Sequence, residues 1–396
     1  MQRLRVWNVI TNTCYGGAEI MLHKLMTNLD RNEFDLKVIS LLECGVTGEK
    51  IAAAGIPVKA LQLVKNGRPR PAALIELSKI LKGDQPHVVQ TWMYHADLCG
   101  GLAARLAGRP VVWNVRHSTL DERIDKRRTR LIAKTCARLS RRIPQRIVVN
   151  SQAGRRVHQA LGYAAEKLEV IPNCFDLASF QPSQQHRQDV RRELGLTTGH
   201  LLIGLAGRLH EMKGHQHFIE AAARLAAADD RVQFLLCGRD VRWDNPQLSG
   251  WIDGHNLRSR FHVLGARQDM PRIQAALDIA VSASVSGEGF SNVVGEAMAC
   301  GVPCVVTDVG DSADIVADTG VVVPSWNASA LAEGCRSLLT MELQQRRELG
   351  QRARERIASE YDIDSITERY ASLWHEVGGL RTGQQQNHAD ELEAAA

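Results

Sequence analysis

One feature constrains this chain more than any other. Short runs of β-branched and other apolar residues alternate with amphipathic stretches of helix length, and they do so in two series. A strand joined through a helix to the next strand returns parallel to the first, so each series predicts a parallel sheet covered by helices. The first series places strands at 4–10, 36–42, 87–91, 111–114 and 146–150, with helical patterns such as 18–29 and 72–81 between them. The second places them at 201–205, 232–237, 261–264, 279–282, 303–307 and 320–323. Each series reads as one doubly wound domain, and 396 residues suffice for two cores.

Pro172, Pro182, Ser183 and several glutamines interrupt the periodicity around 175–188 and mark the boundary. The expected organisation is an α/β chain with a first Rossmann-like domain over 1–178 and a second over 188–360. A terminal helix over 361–378 is expected to pack back on the first domain, and the Gly-, Gln- and Ala-rich 379–396 reads as a disordered tail.

Charge is distributed unevenly between the halves. Residues 1–176 carry 28 Lys and Arg against 15 Asp and Glu, whereas the remainder carries 21 against 29. A basic first half implies an anionic partner there, and no nucleic-acid partner is expected. No run of eighteen apolar residues exists to span a bilayer, and the polar Thr11, Asn12 and Thr13 cut short the only N-terminal apolar run, so neither an anchor nor a signal peptide is expected. Nine cysteines at irregular spacing fit reduced thiols in a cytoplasmic protein.

The segment 286–304 carries the strongest chemical signal. It reads Ser-Gly-Glu-Gly-Phe-Ser-Asn-Val-Val-Gly-Glu-Ala-Met-Ala-Cys-Gly-Val-Pro-Cys and follows a strand. A helix beginning near Ser291 presents unpaired backbone N–H groups, an anion site suited to a diphosphate. Gly289 permits close approach of a ligand to the backbone. Asn292 and Glu296 lie four residues apart, hence on one helix face, where a carboxylate can accept hydrogen bonds from two ribose hydroxyls. Taken singly, Glu288 is an ordinary solvated loop acid and Glu296 a helix-face charge; the glycines, the asparagine and the Ala-Met-Ala-Cys-Gly-Val-Pro exit favour the functional reading.

This segment resembles the Glu-x7-Glu signature of retaining GT-B glycosyltransferases of the large family four. Gly16-Gly17-Ala18-Glu19 resembles that family's first-domain glycine loop. Val148-Val-Asn-Ser151 and Val170-Ile-Pro-Asn173 resemble its strand ends near the linker, and Gly207-Arg208 with Lys213-Gly214 its basic donor-phosphate motif. The likeness spans about 4–375. It implies a GT-B fold, two doubly wound Rossmann-like domains facing a cleft. It also implies transfer of a sugar from a nucleotide-diphosphate donor, UDP-linked rather than GDP-linked, to a saccharide or lipid-linked saccharide acceptor in polysaccharide or cell-envelope glycan assembly.

By the same resemblance, Arg208 and Lys213 contact the donor diphosphate, where two cations stabilise the charge that builds on the departing nucleotide. Glu296 holds the ribose, while Glu288 and the amides of Gly289, Phe290 and Ser291 hold sugar and phosphate. Gly16 and Gly17 form a donor-side glycine loop, although they lack a GxGxxG or GK[ST] fingerprint. His117, just beyond the strand at 111–114, faces the donor sugar and stabilises an oxocarbenium-like centre or orients the acceptor. His95 and Arg116 are acceptor-site candidates. Cys174 follows Asn173 where the family has Gly, a departure at the linker turn.

No Asp-x-Asp follows a strand, and Asp362-Ile-Asp364 is explained by helix capping, so neither a metal nor another cofactor is expected. No carboxylate is placed as a double-displacement nucleophile, which favours same-face attack through an ion-pair-like state. A GT-B-fold sugar-nucleotide epimerase and a non-catalytic nucleotide- or saccharide-binding protein are the competing readings. Residues 121–146 hold ten Lys and Arg against three acids, and Leu131, Ile132, Thr135, Cys136 and Leu139 recur at helical spacing. That pattern suggests a helix that lies on an anionic membrane surface, which would make the protein peripheral on the inner face of the membrane.

Overall fold

The computed structural model describes residues 3–14, 16–65, 68–69, 72–120 and 126–379. The chain divides into two compact units. One comprises Met1–Cys174 together with the chain from Ile363, the other Phe175–Asp362.

The first unit is built on β1 (Leu4–Ile10), β2 (Phe34–Ser40), β3 (Val58–Ala60), β6 (Val88–Trp92), β7 (Val111–Val115), β8 (Arg146–Val149) and β9 (Leu168–Val170). β4 (Val64–Lys65) and β5 (Arg68–Pro69) form a separate two-residue antiparallel pair. The seven strands run parallel in the order β3-β2-β1-β6-β7-β8-β9. Every residue of β6 and β7 is buried, as expected of central strands covered on both faces. β3 and β9 are three-residue edge strands, and the sequence pattern misses them.

The helix Ile363–Gly378 packs on this sheet. Ile366, Tyr370, Leu373 and Trp374 recur at i, i+4, i+7 and i+8 and are buried with Leu4, Val6, Phe34 and Trp92. Side chains of this size contribute about 1.5–3 kcal/mol each when fully buried. Polar residues of the sheet set the register of the contact. Trp374 Nε1 donates to Gln90 Oε1 at 2.6 Å, and Asn114 Nδ2 donates to the Tyr370 hydroxyl at 3.0 Å.

The second unit holds β10 (Leu201–Ala206), β11 (Val232–Cys237), β12 (Phe261–Val263), β13 (Ile279–Ser282), β14 (Cys304–Thr307) and β15 (Gly320–Val323), all parallel, in the order β12-β11-β10-β13-β14-β15. Residues 175–187, read above as the break between domains, belong to this unit. Phe175 is buried and stacks on Phe290 with centroids 6.0 Å apart, and its N–H donates to Tyr361 O at 3.0 Å. Pro182-Ser183, which reads as a breaker, is a helix start: Ser183 caps the helix Gln184–Glu193 by accepting from His186 N. Arg187 and Arg191 of that helix pair with Asp278 at 2.7 and 3.1 Å.

The basic helix Arg127–Leu139 does not keep its apolar stripe for a membrane. Ala133, Cys136 and Ala137 are buried, Ile132 and Leu139 pack on the same core, and of the apolar stripe only Leu131 stays largely exposed, at 62%. The stripe is consumed in covering the sheet, leaving a cationic outer face. Residues 121–125 at the start of the basic segment lie outside the described residues, as does the expected tail beyond Gly379. Among the described residues no helix is long and apolar enough to cross a membrane.

Candidate active site

In the second sheet the chain leaves β10 toward β11 on one side, while β13 and β14 extend the sheet on the other. The carboxyl ends of β10 and β13 therefore flank a topological switch point, where open α/β sheets bind ligands. The basic motif follows β10 and the glycine-rich segment follows β13, so the sheet order alone brings them together.

Glycine geometry does the fine positioning. Gly214 lies in the left-handed region (φ +63°), ending the turn Glu211–Lys213 and opening the helix His215–Ala228. A Cβ there would stand 1.9 Å from Ala283 O, so only glycine lets this helix abut the end of β13. Lys213 runs its methylenes past Gly207, 3.7 Å from where a Cβ would sit, and its ammonium pairs with the Glu288 carboxylate. Glu288 Oε2 also accepts from Ser284 Oγ at 2.9 Å. The loop carrying Glu288 is clamped from both sides. Val285 N donates to Met212 O at 2.9 Å on one side, and Asp311 N donates to Gly289 O at 3.1 Å on the other. Gly310, also left-handed (φ +65°), admits no Cβ, because one would lie 1.9 Å from Glu288 O.

Ser291 is the N-cap of the helix Asn292–Ala299, and its buried side chain takes none of the first-turn amides. Asn292 and Glu296 are half-buried, one turn apart. The side chain of Phe290 is buried against Phe175 and Tyr361, so only its backbone is available to a ligand. Arg208 lies exposed just beyond β10. His215 is buried directly after Gly214, and burial pushes its imidazole down to about 4, so the ring adds no positive charge beside Lys213. This half of the chain thus offers a lysine–glutamate pair, a helix N-terminus and an exposed arginine around the ends of adjacent strands. Such a set suits a phosphate-bearing ligand with hydroxyl groups.

The first unit arranges its strand ends differently. Gly16 caps the helix Gly17–Asn28 in an extended conformation. Here glycine serves close approach: a Cβ would lie 2.4 Å from Glu19 Oε2. Burial raises the pKa of Glu19, while its own backbone amide and the charge of Arg116 pull it back. His95 sits in the first turn of the helix Tyr94–Leu106, and burial and the charge of Arg128 lower its pKa. His117 is half-buried beyond β7, with the Tyr94 ring edge-on at 6.0 Å. Arg116 is not presented to an acceptor. Its guanidinium bonds Asn173 Oδ1, Asn114 Oδ1 (3.3 Å) and the Tyr370 hydroxyl (3.4 Å), and lies 5.3 Å over Trp92. It ties the end of β7 to the terminal helix.

Sequence reasoning misses Ser284, Gly310 and Asp311 in the second unit and Tyr94 and His158 in the first. Gly310-Asp311 begins three residues beyond β14, a weaker signal than Gly207-Arg208 directly after β10. Tyr94 and His158 meet across 64 positions, and no local pattern announces that. Among the described residues no group of three His, Cys, Asp or Glu is placed to hold a metal.

Comparisons with known proteins agree with this picture. The model "Glycosyltransferase Family 4" matches residues 15–179, and "Glycosyl transferases group 1" matches 200–341. The chain is 27% identical over 290 residues to the Escherichia coli UDP-Gal:alpha-D-GlcNAc-diphosphoundecaprenol alpha-1,3-galactosyltransferase, covering 71% of this chain and 73% of that protein. It is 29% identical over 279 residues to the 2-deoxystreptamine glucosyltransferase of Streptomyces kanamyceticus, covering 68% and 67%. Among solved structures, Anabaena HepE in complex with UDP and glucose matches with a TM-score of 0.83 at 22% identity, over 94% of this chain and 99% of that one. Sucrose-phosphate synthase from Thermosynechococcus elongatus matches with a TM-score of 0.78 at 20% identity, over 94% and 99%. These likenesses show the fold, which is GT-B with two Rossmann-like domains.

Proposed function

The chain belongs to the glycosyltransferases described by the group 1 and family 4 models, and from that premise we propose that it transfers a sugar from a nucleoside diphosphate, UDP in preference to GDP, with retention of anomeric configuration. The acceptor is a saccharide or lipid-linked saccharide of a glycan under assembly. The observation that carries this reading is the Lys213–Glu288–Ser284 cluster on a loop clamped at the switch point of the second sheet. The relative from Escherichia coli uses a UDP-linked sugar and a diphosphoundecaprenol-linked acceptor by name, and HepE was solved with UDP, which supports the donor and acceptor classes.

In this reading Glu296 accepts hydrogen bonds from the ribose hydroxyls. Lys213, Arg208 and the first-turn amides of the helix Asn292–Ala299 meet the diphosphate. Glu288, oriented by Lys213 and Ser284, receives hydroxyls of the sugar. By the family resemblance, Gly16 and Gly17 are donor-side residues and His117 attends the reacting carbon. The bond from C1 to the phosphate oxygen breaks as negative charge grows on the diphosphate, which the cations stabilise more in the transition state than in the ground state. The acceptor oxygen bonds C1 on the same face, and its proton passes to the departing phosphate oxygen. A Glu288 engaged by a lysine and a serine suits hydrogen bonding to the sugar better than nucleophilic attack. His95 remains an acceptor-side candidate.

The proposal places the enzyme in the cytoplasm, with the cationic outer face of Arg127–Leu139 set against anionic lipid; co-sedimentation with anionic liposomes that fades with salt is the expected result. The test of function is a turnover screen over UDP-, GDP- and ADP-sugars with and without saccharide acceptors, the product anomer being read by NMR. Turnover should persist in EDTA, because Lys213, Arg208 and the helix terminus carry the leaving group. Loss of activity in EDTA restored by manganese or magnesium refutes that part, and rearranged donor without an acceptor product refutes transfer.

A further inference from the structure

Behind His117 lies a buried hydrogen-bonded pair that none of the roles above uses. Tyr94 opens the helix after β6, and the Tyr94 hydroxyl stands 2.6 Å from His158 Nε2. His158, on the helix Gln152–Ala160, has its other nitrogen, Nδ1, 2.7 Å from Gly154 O. A carbonyl only accepts, so Nδ1 carries the proton, and Nε2 presents its lone pair to the tyrosine hydroxyl. The direction of both bonds is thereby set. Both side chains are buried, Tyr94 at 3% and His158 at 0% exposure. Burial also holds the His158 ring neutral, pushing it down to about 4.

The pair grips His117 at two places. The Tyr94 ring meets the His117 ring edge-on, 6.0 Å between centroids at 68°. On the other side, a Cβ placed at Gly154 would lie 3.5 Å from His117 O, so the first turn of the His158 helix approaches the backbone of His117. The base of Tyr94 is itself fixed. Met93, just before it, is held at φ +74°, a conformation that non-glycine residues adopt only where the surroundings impose it. Its N–H donates to Asn114 O at 2.9 Å, on the strand that leads to His117. Cys136 Sγ reaches Tyr94 O at 3.6 Å from a third helix. An apolar pair of the same volume would pack here without having to satisfy two buried polar groups. What the hydrogen bond adds is a single orientation for the ring that abuts His117.

We propose that Tyr94 and His158 are positioning residues, a cross-link that holds the ring and backbone of His117 in the orientation the transfer step requires. This rests on the reading of His117 as a residue at the reacting carbon. A displacement of about 1 Å at such a group costs on the order of 100-fold in rate, which is the scale on which a positioning device matters.

The test compares Tyr94→Phe, which keeps the ring and removes the bond, with His158→Gln, which alters the other end, and with His117→Ala. The direct readout is the imidazole spectrum of His117 in histidine-labelled protein, which is independent of turnover. Both variants should shift and broaden the His117 resonances. The hydrolysis of UDP-glucose should fall in kcat by about 10- to 100-fold at near-constant KM, with UDP affinity unchanged. Unchanged His117 resonances in both folded variants overturn the proposal, even if melting temperature falls. If His117→Ala retains wild-type turnover while the spectra shift, it is the catalytic reading of His117 that fails. If His117→Ala is crippled and the other two match wild type, only the positioning role fails.

Discussion

The two units share a doubly wound parallel topology, yet they secure their strand ends by opposite means. In the second unit, backbone conformation does it. Gly214 and Gly310 are left-handed, and each brings one main-chain segment against another at a distance that excludes a Cβ. In the first unit, side chains do it. Tyr94 bonds His158, Arg116 bonds Asn114, Asn173 and Tyr370, and Thr91 Oγ1 donates to the fully buried Asp97 at 2.6 Å. Burial raises the pKa of Asp97, while the hydrogen bonds from Thr91 and the Asn114 amide pull it back. Close-packed backbone leaves amides and a helix terminus at the strand ends of the second unit, whereas a side-chain network fixes individual rings at those of the first. The difference between the units thus lies at the carboxyl ends of the strands and not in the sheet.

If the second unit depends on glycine backbone, Gly310→Ala and Gly214→Ala should be strongly damaging small changes. Each combines left-handed φ with a Cβ 1.9 Å from a carbonyl oxygen, and a loss of about 4 kcal/mol in urea unfolding is expected. Gly16→Ala should cost less than about 1 kcal/mol, since its backbone is extended and the obstructing atom is the mobile end of Glu19. Equal losses at Gly310 and Gly16 would break the comparison.

The next largest effect sharpens it chemically. Lys213→Ala removes the cation clamped beside Glu288 and should lower kcat by about 10²- to 10³-fold, with a smaller loss of UDP affinity. Parallel losses in kcat and affinity, measured by steady-state kinetics beside calorimetry, would show that Lys213 only binds.

A pH experiment probes one buried histidine in each unit. His158 and His215 are both pushed down to about 4 by burial, whereas an unfolded histidine titrates near 6.5. As pH falls through about 6.5 the unfolded chain takes up protons that the native state refuses. Stability is therefore complete above that value and declines until about pH 4, by up to about 3 kcal/mol for each group. His158→Gln should flatten this dependence for the first unit and leave that of the second. An unchanged profile by thermal unfolding between pH 4.5 and 7 would contradict the assignment.

The sequence made the sheets legible where strands are central, because residues buried on both faces leave long apolar runs. β10, β11, β13 and β14 carry such runs, whereas the edge strands Val58–Ala60 and Leu168–Val170 have three residues each and leave none. The start of the second unit was hidden for a related reason. Pro182 and Ser183 punctuate a helix entrance as strongly as they punctuate a linker, and the partner that decides the matter, Asp278, lies 91 positions from Arg187. The Glu288 loop was readable because its glycines and acids are contiguous. Gly310 and the Tyr94–His158 pair were not, since their meaning arises only when segments distant in the sequence converge. For the helix Arg127–Leu139, amphipathic spacing identified an apolar face but not what it covers, and the core claimed it.

The central claim is that the second unit holds the nucleotide of a sugar donor, with Glu296 on its ribose. Calorimetric titration of UDP into wild-type protein and into folded Glu296→Ala tests it most directly. Loss of the charged hydrogen bonds should weaken UDP binding by about 1.5–3 kcal/mol, roughly 10- to 150-fold in affinity, and should weaken UDP-glucose alike because the ribose is common to both. Equal affinity of the two proteins for UDP would contradict the account.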